Sequence, residues 1–207
     1  MNEPASTDSS LSVLRRFART REREEVCDFC SAEIYPRHEH LFETDRRRLV
    51  CVCEACAILF GNQGDAKYRR VPRNVRFLRD FRLTEGQWQS MSIPIRLAFI
   101  YHDSRARKDI ALYPSPAGPT ESWLDTVVWE EIRSLSPELQ RLEPDVEALL
   151  INRMRRANQG DEYYLAPIDE CFRLSGLLRM HWRGLSGGAR VWEELTRFFL
   201  ELKSRGV

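Results

Sequence analysis

Apolar residues near the start of the chain fall at helical spacing. Leu11, Leu14 and Phe17 recur among Arg15, Arg16 and Arg19, which predicts a short amphipathic helix behind a polar tail at residues 1–10. Leu41–Val50 then alternates, as a hairpin turning at Asp45-Arg46-Arg47 does. Ala57-Ile58-Leu59-Phe60 is an apolar run expected in a helix. Residues 61–85 read as a connector, with turn signals at Gly61-Asn62 and Gly64-Asp65 and a break at Pro72.

From Gly86 the pattern changes. Leu97–His102 and Asp109–Tyr113 are β-prone runs around a polar turn and predict a hairpin. Pro114-Ser115-Pro116-Ala117-Gly118-Pro119 predicts a rigid loop ending at Thr120, the N-cap of a helix burying Leu124, Val127, Val128, Ile132 and Leu135. Ser136-Pro137-Glu138 starts a second short helix with proline at its first position. Val146–Ile151 and Tyr163–Pro167 flank the turn Asn158–Asp161 as a second hairpin, although a helix through 146–154 fits the same apolar run. Asp169 opens a helix with a stripe of Phe172, Ser175, Leu178 and Trp182. Gly187-Gly188 separates it from a last helix burying Val191, Leu195, Phe198 and Leu202.

These elements predict an α+β protein: a flexible tail with a short helix (1–22), a small cysteine module (23–62), a basic connector (63–85), and a domain of β-hairpins packed with helices (86–207). With 43% apolar residues a substantial core is available. The 32 basic and 31 acidic residues nearly cancel, so no global field attracts nucleic acid or anionic lipid. Met1–Ser10 lacks the charged-then-apolar order of a secretory signal. Ile93–Tyr101, interrupted by Pro94 and Arg96, is too short to span a bilayer. A cytoplasmic protein without membrane contact is the expectation, and in a reducing compartment clustered cysteines point to metal rather than disulfides.

Five of the six cysteines lie within residues 27–56. Cys27-x2-Cys30 and Cys53-x2-Cys56 are paired as zinc-site thiols are. Each pair sets two thiolates on a tight turn, and two turns complete a tetrahedron. A knuckle, a hairpin and a helix carrying the second pair predict a treble-clef or zinc-ribbon arrangement, with the helix N-terminus favouring thiolates at Cys53 and Cys56. Iron in a rubredoxin-like site uses similar spacing. Its knuckles, however, usually carry Gly or Pro, where this chain has Cys27-Asp28-Phe29-Cys30-Ser31 and Cys53-Glu54-Ala55-Cys56-Ala57. The cofactor expected is therefore zinc, with iron the alternative. Cys51 shares a strand face with Cys53 and is either a substitute ligand or a buried small side chain. His38 and His40 support the site or lie on the surface. An HNH nuclease would need a further His in the following helix, and Ala57–Asn62 offers none.

Other motifs carry less. Gly184-Leu185-Ser186-Gly187-Gly188 matches G-x-S-x-G but follows a helix rather than a strand, so a glycine turn is the simpler reading. Ser186, Gly187 and Gly188 at a helix start remain a weak anion-binding candidate. Cys171 and His181, ten residues apart on one helix, cannot form a dyad. Lys67, Arg69, Arg70, Arg73, Arg76, Arg79 and Arg82 stand against Asp80 alone, either as a nucleic-acid contact or as a solvated arginine face.

Taken in order, several stretches resemble a bacterial four-cysteine family, a domain of unknown function. They are the cysteine module with His38-x-His40-Leu41 and Arg47-Arg48-Leu49, Phe81-Arg82-Leu83, Ile93-Pro94 before Leu97-Ala98-Phe99, Tyr113–Gly118 with Thr120-Glu121-Ser122, Pro144–Leu149, Pro167-Ile168-Asp169, and His181–Gly184 with Gly187-Gly188. Genes of that family are found beside those of actinobacterial-type uptake nickel–iron (NiFe) hydrogenases. The resemblance implies a non-catalytic accessory role in hydrogenase maturation, assembly or regulation, with a hydrogenase subunit or maturation factor as protein partner. The candidate contact surface is Tyr113, Pro114, Ser115, Pro116, Gly118 and Glu121, whose prolines would limit the entropy lost on binding. An iron electron carrier and a nucleic-acid-binding regulator are the alternatives.

Overall fold

Two runs with almost no polar interruption, Leu97–Tyr101 and Ala148–Ile151, are strands buried on both faces, and they fix the architecture. The computed structural model of the chain describes residues 25–61, 67–154, 160–184 and 187–206. The helix expected over residues 11–19 lies outside them, as do Ser186 and the Asn158-Gln159 half of the predicted turn.

The described residues form nine strands and six helices. In chain order these are β1 (Glu39–Glu43), β2 (Arg48–Val52), α1 (Glu54–Gly61), β3 (Tyr68–Arg70), β4 (Arg76–Phe77), α2 (Glu85–Ser90), β5 (Leu97–Asp103), β6 (Lys108–Ser115) and β7 (Gly118–Ser122). There follow α3 (Thr126–Ser134), α4 (Pro137–Gln140), β8 (Glu147–Asn152), β9 (Glu162–Pro167), α5 (Ile168–His181) and α6 (Gly188–Arg205). A three-stranded sheet has the order β2-β1-β3 and a six-stranded sheet the order β4-β9-β8-β5-β6-β7. The pairings are antiparallel. The fold is α+β, as the sequence predicts.

Successive residues of β5, β8 and β9 point to opposite faces of the large sheet. Phe99, Tyr101, Leu150 and Tyr164 meet α5 and α6 through Leu174, Val191, Leu195 and Phe198. Ile100, Leu149, Ile151 and Leu165 meet Trp88, Trp129, Ile132 and Leu139 from α2, α3 and α4. Helices on both faces leave the runs Leu97–Tyr101 and Ala148–Ile151 without a charged position, which is why 146–154 fits a helix almost as well as a strand in sequence. Its residues 147–152 are strand β8, paired with β9.

Local differences from expectation have identifiable causes. The proline-rich stretch is not a loop: Pro114 in β6 sits opposite Pro119 in β7, and the turn closes at Gly118 with φ 113°. Because β7 is an edge strand, proline there removes no ladder bond. Thr120 is accordingly a strand residue. The cap of α3 is Asp125, whose carboxylate accepts from the amides of Val127 at 3.0 Å and Val128 at 3.2 Å. Val127 and Leu135 are exposed, and Trp129 and Ile132 carry the buried face. On α5 the buried face runs through Ile168, Cys171, Leu174, Ser175 and Leu178; of the predicted stripe Ser175 and Leu178 are buried, and Phe172 and Trp182 half-buried. The α6 stripe is the predicted one.

The small sheet sits against the large one. Phe42 of β1 makes ring contacts with Tyr101 at 6.2 Å and Phe172 at 6.4 Å and joins the α5/α6-side core, together with Val71 and Val75. Residues 68–77, within the expected connector, supply β3 and β4, and α2 follows behind a Thr84/Gln87 capping box.

Candidate metal centre

The knuckle forms because Ser31 turns left-handed at φ 60°. Its amide donates to Cys27 O at 2.8 Å, and the Cys27 amide donates to Ala32 O at 2.8 Å. Cys27 and Cys30 thus share one side of the turn. Cys53 precedes α1, whose first backbone bond runs from the Ala57 amide to Cys53 O at 2.9 Å, and Cys56 lies in the first turn. The knuckle is tied to the hairpin twice: the Asp28 amide donates to Cys51 O at 2.9 Å, and the Cys51 amide donates to Asp28 Oδ2 at 2.8 Å. Leu41, Val50, Val52 and Ala57 pack beneath.

The fold brings all four predicted ligands together. The sulfurs of Cys27, Cys30, Cys53 and Cys56 lie within 4.8 Å of one another. Cys30 Sγ is 3.7 Å from Cys53 Sγ, beyond disulfide length. A tetrahedron with metal–sulfur bonds of about 2.3 Å has edges of roughly 3.8 Å, so the donor set fits a metal ion with little rearrangement. Burial works against ionising Cys27, but the amides of Cys53, Cys30 and Phe29 aim at its sulfur and bring the thiol down to about 6. Burial, then the three neighbouring sulfurs, pushes Cys56 up to about 12. Four thiolates at this spacing repel one another unless a cation sits among them.

Beside this centre His38, His40 and Cys51 form a second cluster, their donor atoms also within 4.8 Å of one another. His40 Nδ1 is 2.8 Å from Asp169 Oδ2 on α5. Burial disfavours the charged His40 ring, but the Asp169 hydrogen bond and then Cys51 outweigh it and lift the imidazole to about 9. In the sequence Asp169 stands out only as a helix start and within Pro167-Ile168-Asp169; its partnership with His40, 129 positions away, carries no signal there.

Residues 26–206 match the model of a family of unknown function, DUF5947. The chain belongs to that family. No curated protein matches it, and no solved structure does.

The remaining candidate residues of this DUF5947 chain are placed as follows. Of the expected contact surface, Pro114 and Gly118 are buried, Tyr113 and Ser115 half-buried, and Pro116 and Glu121 exposed. Glu121 pairs with Lys108 at 3.1 Å. Trp123, just past the hairpin and 65% exposed, is an addition the sequence reading missed. Gly187 and Gly188 begin α6 at φ 84° and 77°. A side chain at 187 would meet Val191 at 2.8 Å and Trp182 at 3.2 Å, so packing accounts for that glycine. Cys171 is buried in the core, and burial holds its thiol well above the ordinary range.

The basic stretch is neutralised at most of its positions. Lys67 pairs with Glu43 at 3.0 Å, Arg70 with Glu39 at 2.9 Å, and Arg73 also with Glu39. Arg69 reaches Glu143 and Asp145, both at 3.3 Å, and Arg76 reaches Glu147 at 3.0 Å. These cations bridge strands and loops, which disfavours them as a phosphate-binding face. No helix among the described residues is long and apolar enough to cross a membrane.

Proposed function

We propose that this chain is a zinc-stabilised, non-catalytic accessory protein that acts by binding another protein. The observation that carries the reading is the closed set of four sulfurs, with the 3.7 Å Cys30–Cys53 separation of a tetrahedral edge. A metal held by Cys27, Cys30, Cys53 and Cys56 has no free coordination position and supplies folding energy rather than chemistry. Zinc suits such a site; iron in its place would colour the protein on aerobic purification. The site fastens the knuckle, the hairpin and α1 into one piece that rests on the large sheet.

The partner belongs, in this reading, to nickel–iron hydrogenase maturation, assembly or regulation. That step rests on the resemblance of the ordered motifs to a family with that gene neighbourhood. The β6–β7 hairpin supports an interaction role, since it presents Pro116, Glu121 and, just beyond, Trp123. Rigid backbone and an exposed aromatic side chain are what a recognition surface uses. Deleting the gene and measuring hydrogen uptake tests the reading: uptake should fall while hydrogenase transcript is unchanged, and a tagged copy should recover hydrogenase components under mild crosslinking. Normal uptake in the deletion strain under every inducing condition would overturn it.

A further inference from the structure

The geometry points to a second metal site, held by His38, His40 and Cys51, with a fourth position open to water or another exchangeable donor. The strand register brings the ligands together. His40 and Cys51 are directly opposite in the β1–β2 ladder, and His38 precedes His40 by two. The donor atoms of the three lie within 4.8 Å of one another, and among the described residues no further His, Cys, Asp or Glu completes this cluster.

Both rings are oriented as metal-bound imidazoles are. His38 Nδ1 is 2.8 Å from Tyr35 O, a carbonyl that accepts only, so this nitrogen carries the proton. Nε2 of His38 is left with a lone pair. It is buried and has no hydrogen-bond partner, and the side chain as a whole is 8% exposed. A buried acceptor without a partner is unfavourable, and a cation at Nε2 removes that penalty. His40 Nδ1 is engaged by Asp169 Oδ2 at 2.8 Å, which directs its Nε2 away from the carboxylate. A carboxylate behind a ligating histidine fixes the ring and raises its basicity.

Two imidazoles and one thiolate suit borderline divalent ions such as Zn²⁺ and Co²⁺, and three protein ligands are the number found where a metal keeps an exchangeable position. The site thus differs in kind from the neighbouring four-thiolate centre: it offers ligand exchange rather than permanent closure. The same residues also contain the order thiol–imidazole–carboxylate, as Cys51, His40 and Asp169. A nucleophilic thiol would leave His38 Nε2 unexplained, so the metal reading accounts for more of the geometry.

Titrating metal-free full-length protein with Co²⁺ and then Zn²⁺ tests this, with circular dichroism reporting the fold. The wild type should take up one tight equivalent and a second, weaker one whose cobalt spectrum has the lower thiolate charge-transfer intensity of a single sulfur ligand. Cys51→Ser and His38→Gln should keep the first and lose the second. Asp169→Asn, which leaves all three ligands in place, should weaken the second equivalent about 10- to 100-fold. One equivalent in the wild type, or two in both Cys51→Ser and His38→Gln, would overturn the proposal. So would rapid alkylation of Cys51 that depends on His40 and Asp169 in protein taking up only one equivalent, which would assign a reactive thiol instead. A variant that loses the first equivalent as well has lost the β1–β2 ladder on which both sites rest, and Asp169→Asn, which alters neither cysteine pair, then decides: an unweakened second equivalent in it would overturn the proposal.

Discussion

Arg47 Nε lies 2.6 Å from Oδ2 of Asp103. Arg47 occupies the tip of the β1–β2 hairpin, in a left-handed conformation at φ 51°, and Asp103 is the last residue of β5 with 2% of its surface exposed. The other Asp103 oxygen accepts from the Ala106 amide at 2.7 Å. The tip of the cysteine module is thereby pinned to a turn of the large sheet by a carboxylate that has little water of its own.

Removing the cation should therefore be felt. Arg47→Ala is expected to lower stability by about 1–3 kcal/mol in urea denaturation, the cost of leaving a buried charged acceptor short of a partner. Arg46→Ala next to it, at a largely exposed side chain, should stay within about 0.5 kcal/mol. Equal effects from the two substitutions would show that the pairing at Asp103 contributes nothing specific.

Loss of the metal should spread unevenly. Cys27→Ser is expected to expose the amides of β1, β2 and β3 to hydrogen exchange, since the knuckle, hairpin and α1 share one small cluster around the sulfurs. The centre of the large sheet has its own cores on both faces, so β5, β8 and β9 should remain protected. Phe42 is the shared element, and its departure should weaken the sheet without melting it. Collapse of protection in β8 along with β1 would mean that the two sheets fold only together.

Ser31 offers a stabilising change. A residue with a Cβ in the left-handed region costs about 1–2 kcal/mol, and glycine avoids that cost while giving up some unfolded-state entropy. Ser31→Gly should gain about 0.5–1 kcal/mol in unfolding free energy, read as a higher denaturation midpoint at unchanged slope, with the metal retained. A loss of stability would indicate that the serine side chain holds the knuckle in some other way.

How much of this the sequence discloses depends on the range of each interaction. The four clustered cysteines are readable because each pair is set by a local turn, and α6 because a single buried face repeats its apolar period. Ser31 tempers one inference: the lack of glycine after Cys30 does not signal a different turn, since serine adopts the same left-handed backbone. Pro114 and Pro119 misdirect because their tolerance comes from the strand order and not from the stretch itself: Pro119 lies on the edge strand β7, and Pro114 lies beyond Leu112, where the pairing of β6 with β5 ends. The link from His40 to Asp169 spans 129 positions and exists only because α5 packs beside β1. Nothing local encodes it. Thr84 and Gln87, by contrast, are a local capping-box signal for the start of α2, within and just past a stretch that reads as connector through residue 85.

At alkaline pH the tyrosines should separate into two groups. Burial pushes Tyr101 and Tyr164 well above the ordinary 10.0, and Tyr163 is raised for the same reason first. In the unfolded chain these phenols ionise near 10.0, so above that pH the unfolded state has released protons that the folded state still holds. Stability then falls as pH rises, by the linkage between proton binding and folding. Ultraviolet titration should show Tyr101, Tyr163 and Tyr164 silent until a cooperative transition releases them together with the loss of tertiary circular dichroism. Smooth ionisation of all six tyrosines in the folded protein would contradict this placement.

The partner surface is the boldest expectation and the easiest to dissect. Trp123 is 65% exposed and follows directly on the edge strand β7, two residues after Glu121 and at the opposite end of the strand from the hairpin tip that carries Pro116. An exposed tryptophan adds little to the stability of the free chain, because its ring is not part of either core. At an interface the same ring can contribute about 2 kcal/mol, roughly a thirtyfold change in affinity. Trp123→Ala should thus leave the denaturation midpoint and metal content unchanged while weakening recovery of the hydrogenase component by about that factor. Glu121→Lys should add a repulsive element and also lose its pairing with Lys108, so it should reduce recovery more at low salt than at high salt. Pro114→Ala makes the contrast. Pro114 is buried opposite Pro119, so its replacement should act through the fold, moving the midpoint and recovery together. If Trp123→Ala and Glu121→Lys both retain wild-type recovery while the deletion strain still loses hydrogen uptake, the partner binds elsewhere on the molecule. The exposed side chains of α1, Ile58 and Leu59, would then be the next surface to vary.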